Sequence, residues 1–105
     1  MNNNTTNRLN NLSNILVEAI VLDYARGNVD RKSCGEIHDK DNVVTMKNAL
    51  RHDRRLVESN LPEMKNVFKT SSQLTYLSNE IVTKLRSKAR RDKLVRDLVK
   101  TMFNR

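Results

Sequence analysis

Residues 42–69 read NVVTMKNALRHDRRLVESNLPEMKNVFK, and the fold turns on whether this stretch makes one helix or two. Val43, Leu50, Val57 and Met64 recur at intervals of seven, with Met46, Leu61 and Phe68 filling the same sector. At 100° per residue all seven fall within about 60° of one another, a narrow apolar seam suited to packing on another helix. Pro62 interrupts the run. In mid-helix a proline removes one backbone hydrogen bond and bends the axis. The alternative is a fresh helix capped by Asn60, with Glu63 completing a capping box. The apolar register survives on both sides of Pro62, which favours a kinked continuation that starts from a cap at Asp41 or Asn42.

Helical spacing recurs on either side. Leu9, Leu12, Leu16 and Ile20 repeat at three and four residues, with Ile15, Ala19 and Leu22 alongside. Gly27, just past Arg26, suits the left-handed position that closes a helix. This predicts a helix over 8–26 after a polar tail at 1–7, followed by a polar connection at 28–41. Ser71 or Ser72 can open a third segment, where Leu74, Leu77, Ile81 and Leu85 form a stripe. The stripe lapses over RSKARRDK (86–93) and resumes with Val95, Leu98, Val99 and Met102. Two Gly, one Pro and no alternating pattern leave little room for strands. The expectation is one all-α domain over 1–105, with three amphipathic helices at about 8–26, 42–69 and 72–103. They would form a helical hairpin or bundle, completed by dimerisation.

The charge is uneven. Residues 1–83 hold 11 basic and 10 acidic side chains, net +1, whereas residues 84–105 hold nine and two, net +7. A concentrated basic segment suits a polyanion such as nucleic acid or an anionic membrane surface; the bland alternative is a solvated helix or a localisation tag. Lys84, Arg86, Lys88, Arg90, Arg91 and Lys93 put cations on every side of a helix. Such a stretch cannot enter an apolar core. Beside the middle seam, Lys47, Arg51, Arg54, Lys65 and Lys69 share a sector of about 100°, with Arg55 at its flank. On a straight helix they would line a ridge ~33 Å long, able to meet successive phosphates. The competing view is a solvated face paired with Asp53 and Glu58.

Aromatic platforms for unpaired bases are scarce, because Tyr24, Tyr76, Phe68 and Phe103 are the whole set. That points away from single strands and towards shape recognition of a duplex. Neither helix-turn-helix spacing nor a zinc-finger pattern stands out. Catalysis would have to rest on Cys34 with His38 or His52, and these sit in polar sequence typical of plain surface. The same stretch offers too few soft ligands for zinc, Asp39 and Asp41 do not follow the calcium-loop pattern, and no glycine-rich phosphate loop occurs. No enzyme, metal or cofactor is expected. A lone Cys34 fits a reducing compartment. ILVEAIVLDYA (15–25) is too short to span a bilayer and carries Glu18 and Asp23. A cytoplasmic protein is expected, with nuclear entry through the basic segment as an option.

Three passages resemble the small RNA-silencing suppressors of alphanodaviruses: LNNLSNILVEAI (9–20), ALRHDRRLV (49–57) and VFKTSSQLTYL (67–77). The likeness covers roughly residues 9–77. It departs from the family at the long connection 28–41 and at Pro62, where the family's helix runs uninterrupted. It implies an all-helical homodimer that lays paired helices along double-stranded RNA and shields it from nucleases. Phosphate contacts would come from Lys47, Arg51, Arg54, Arg55, Lys65 and Lys69. Independently of the resemblance, the seven-residue repeat invites self-association, with Val43, Leu50, Val57, Leu61 and Met64 as the dimer seam. Two alternatives stand beside it. One is a viral or phage interaction module docking on an acidic host protein. The other is a DNA-binding regulator whose C-terminal helix enters the major groove.

Overall fold

The computed structural model describes residues 2–27, 42–52, 57–59 and 61–103, without the side chains of Asn42 and His52. Five helices carry labels: α1 (Asn3–Ala25), α2 (Asn42–His52), α3 (Met64–Lys69), α4 (Ser71–Ala89) and α5 (Lys93–Phe103). Residues 57–59 are also helical, and no strand occurs among the described residues. The all-α expectation holds. The expected caps at Asp41 and Asn60, the connection 28–41, Cys34 and His38 lie outside the described residues.

α1 begins earlier than its apolar pattern. The Asn2 side chain accepts a hydrogen bond from the Thr5 amide at 2.8 Å, capping a turn that contains no apolar residue. The expected polar tail at 1–7 is therefore corrected, since its residues from Asn3 onward are helical. At the other end Gly27 has φ 74°, and its amide reaches the Tyr24 carbonyl at 3.0 Å, the stop that the sequence suggested.

Pro62 breaks the middle segment; it does not bend it. Leu61 closes one helical bond to the Val57 carbonyl at 2.9 Å, then Pro62 and Glu63 form a turn. The Met64 amide bonds back three residues to Leu61 at 2.9 Å, and Asn66 to Glu63 at 3.1 Å. Proline lacks an amide hydrogen and disfavours helical backbone at the residue before it, so the chain restarts as α3. The seven-residue register shifts at the restart: Met64 and Val67 are buried, while Phe68 is only half-buried.

A second break divides the expected helix 72–103. Arg90 and Arg91 bond back three residues, to Ser87 at 3.3 Å and Lys88 at 3.0 Å. Asp92 Oδ1 then accepts from the amides of Leu94 at 2.9 Å and Val95 at 3.4 Å, capping α5. A straight helix would have carried Val95 past the end of the apolar stripe. The turn at 90–92 swings Val95, Leu98, Val99 and Met102 onto the core instead, where all four are buried.

α4 is the axle of the molecule and packs against each of the other four labelled helices. Its Leu74, Leu77, Ile81 and Leu85 are buried against a cluster that includes Leu9, Leu12 and Leu16 of α1 and Met46 and Leu50 of α2. Two buried hydroxyls find partners within their own helices: Ser78 donates to the Leu74 carbonyl at 2.7 Å and Ser13 to that of Asn10 at 2.6 Å.

The proposed dimer seam is corrected by this packing. Leu50, Val57 and Met64 are buried inside the single chain, Leu61 packs against the same core, and Val43 is half-buried. An apolar stripe states that a helix needs a partner, and here the partner is the same chain. Among the described residues no helix is long and apolar enough to cross a membrane.

Candidate nucleic-acid interface

The C-terminal cations fall into two groups with different fates. Lys84 is half-exposed, and its ammonium donates to the Asn10 carbonyl at 3.1 Å, the Asn10 Oδ1 at 2.6 Å and the Ser13 hydroxyl. An ammonium has three N–H bonds, so these three acceptors use its capacity. Glu80 adds an ion pair at 3.8 Å. Lys84 thus ties α4 to α1.

The others face water. Arg86, Lys88, Arg90, Arg91 and Lys93 are exposed, as are Arg96 and Lys100, two cations absent from the expected set. On α5 the buried Val95, Leu98, Val99 and Met102 occupy one side. At 100° per residue Lys93, Arg96 and Lys100 lie within about 60° of one another on the opposite side. That spacing (i, i+3, i+7) was the available signal for the two missed residues. Between residues 86 and 100 seven exposed cations face two carboxylates, those of Asp92 and Asp97.

Local contacts hold this surface in place. Arg96 Nε donates to the Ala89 carbonyl at 3.2 Å, bridging the turn. The Arg86 guanidinium stands 5.8 Å from the centre of the half-buried Phe103 ring, within cation–π range. Thr101 donates to the Asp97 carbonyl at 2.8 Å and lies 3.4 Å from the Tyr24 hydroxyl, joining the far end of α5 to α1.

Rising residue numbers on α1 meet rising numbers on α4, so the two helices run side by side in the same direction. A groove of about 770 Å³ opens between them. Asn14, Val17 and Glu18 form its α1 wall, and Lys84, Ser87 and Lys88 its α4 wall. Arg91 and Asp92, in the turn that follows α4, also line it. Lys84, Lys88 and Arg91 follow the spacing i, i+4, i+7, which explains why they share this side of α4.

The middle ridge is not brought together as a continuous row. Lys47 is half-buried and Arg51 exposed on α2, Lys65 and Lys69 are exposed on α3, and the break at Pro62 separates the pairs. Arg54 and Arg55 lie outside the described residues. None of the four aromatic residues is fully exposed: Tyr24, Phe68, Tyr76 and Phe103 all pack against the core. Among the described residues no group of three or more His, Cys, Asp or Glu side chains could hold a metal ion. The chain matches no protein-family model, no curated protein and no solved structure.

Proposed function

We propose that the protein binds double-stranded RNA through its phosphate backbone, without regard to sequence, using the end of α4, the 90–92 turn and α5. The observation that carries this is the run of seven exposed cations against two carboxylates between residues 86 and 100. One of those carboxylates, Asp92, is occupied in capping α5. Closely spaced cations in such excess gain most from a partner with regularly spaced charge, because binding releases the counterions condensed on it. The half-buried aromatic residues leave few platforms for stacking unpaired bases, which favours a duplex over a single strand. Coating a duplex in this way would deny it to a nuclease, the activity implied by the resemblance to silencing suppressors. The surface belongs to one chain, so the reading requires no second copy.

Mobility shifts with duplex RNA, duplex DNA and single strands at two salt concentrations test the proposal. The expected result is retention of duplex RNA over single strands, with affinity falling about a hundredfold between 50 and 200 mM salt if four phosphates are contacted. Equal affinity for single strands, or binding indifferent to salt, would contradict it.

A second reading, a DNA-binding regulator, is favoured by one feature. A three-residue turn joins α4 to α5, and α5 presents Lys93, Arg96 and Lys100 outward, as a helix entering a major groove would. It differs in requiring preference for one DNA sequence over bulk competitor.

A further inference from the structure

The α1–α4 groove carries a feature that plain phosphate binding leaves without a role. Lys88 and Arg91 line it, and Glu18 lies on the opposite wall; among the described residues none of the three side chains makes a hydrogen bond or ion pair. The other charged groups there are committed, Lys84 to Asn10 and Ser13 and Asp92 to the α5 amides. A lone carboxylate opposite two cations repels a bare phosphate. It becomes favourable only when the ligand presents a hydrogen-bond donor beside its anion, since an ionised carboxylate can only accept.

A ribonucleotide has that combination. Its 2′-hydroxyl sits on the carbon next to the one bearing the 3′-phosphate, whereas a deoxyribonucleotide offers the phosphate alone. The groove volume of about 770 Å³ falls within the range of roughly 300–1,000 Å³ typical of clefts that hold small ligands. We propose that this groove is where the protein tells RNA from DNA: Lys88 and Arg91 hold a backbone phosphate, and Glu18 accepts a hydrogen bond from the neighbouring 2′-hydroxyl, with Asn14 beside it. The inference rests on the duplex-RNA reading and adds a sugar-reading residue to it. A 2′-hydroxyl is the group by which a protein distinguishes the two nucleic acids at a given site.

The test measures affinities for three short duplexes of one sequence: RNA, DNA, and RNA methylated at every 2′-oxygen, which keeps the A-form shape but loses the donor. The wild-type chain is expected to prefer RNA over the methylated duplex by at least about tenfold, the lower end of what a hydrogen bond to a charged group contributes. In Glu18→Ala the preference should shrink to within about twofold, with DNA and methylated RNA bound more tightly than before because the repulsion is gone. Glu18→Gln retains a carbonyl acceptor and should keep part of the preference, which a merely structural role for Glu18 would not produce. Glu18 is exposed, so the variants are expected to fold. Equal wild-type affinity for RNA and methylated RNA, or an undiminished preference in Glu18→Ala, overturns the sugar-reading role and leaves duplex binding intact. Failure to bind any duplex overturns the parent reading and this inference together.

Discussion

Replacing Arg90, Lys93 and Lys100 together by glutamate is expected to lower affinity for an RNA duplex on the order of a thousandfold at 0.1 M salt. All three are exposed and make no side-chain hydrogen bond or ion pair among the described residues, so the change acts on the partner and not on the fold. Each removes one attraction and adds one repulsion. The slope of log affinity against log salt should fall by about one for each phosphate no longer neutralised, about three in all. The loss should be the same for unrelated duplex sequences, because phosphate contacts carry no base information. Helix content should barely move and the melting temperature should fall by only a few degrees, because each surface substitution of this kind stays within about 0.5 kcal/mol. Glutamate is favoured at position 93 in the first turn of α5 but disfavoured at position 100 in its last turn and at position 90 at the end of α4. Titrations in parallel with circular dichroism give both quantities. Undiminished affinity would remove the turn and α5 from the interface.

The second large effect concerns the seam. If Leu50 belonged to a surface between two copies, Leu50→Asp would give a folded monomer. Instead Leu50 is 2 % exposed and packs within the cluster around α4. The variant is expected to lose at least about 4 kcal/mol, since it removes a buried aliphatic group and places an unpaired carboxylate in the core. A domain of this size commonly has only about 5–15 kcal/mol in total, so the variant should be largely unfolded or melt far below the wild type. Thermal melts followed by circular dichroism, with sedimentation to report subunit number, make the comparison. A cooperative melt near the wild-type temperature, together with a fall from dimer to monomer, would restore the seam to a dimer interface.

The seam shows where legibility from sequence ends. The stripe Leu74, Leu77, Ile81 and Leu85 and the Gly27 stop were readable because periodicity and a left-handed glycine each have one structural meaning. The destination of the 43–64 stripe was not readable, because a wheel shows that a helix face is apolar without showing what covers it. At Pro62 the apolar register favours a bend over a break, yet that register shifts at the restart, to Val67, and the helix breaks there. The 90–92 turn contains neither glycine nor proline. Its signal was the nine residues that separate Leu85 from Val95 in the apolar stripe, with Asp92 able to cap a new helix. At the candidate interface the cations were legible as a run, but their division was not. Lys84 is spent on Asn10 and Ser13, some seventy positions away, a link that only the side-by-side packing of α1 and α4 creates. The opposing Glu18 entered the site for the same reason.

Backbone amide resonances followed during titration with a short RNA duplex test the central claim most directly. Binding through the basic turn predicts that the largest shifts, reversed by added salt, cluster between Arg86 and Lys100 and along the facing side of α1. Shifts concentrated on α2 and α3, or none at saturating duplex, would contradict it.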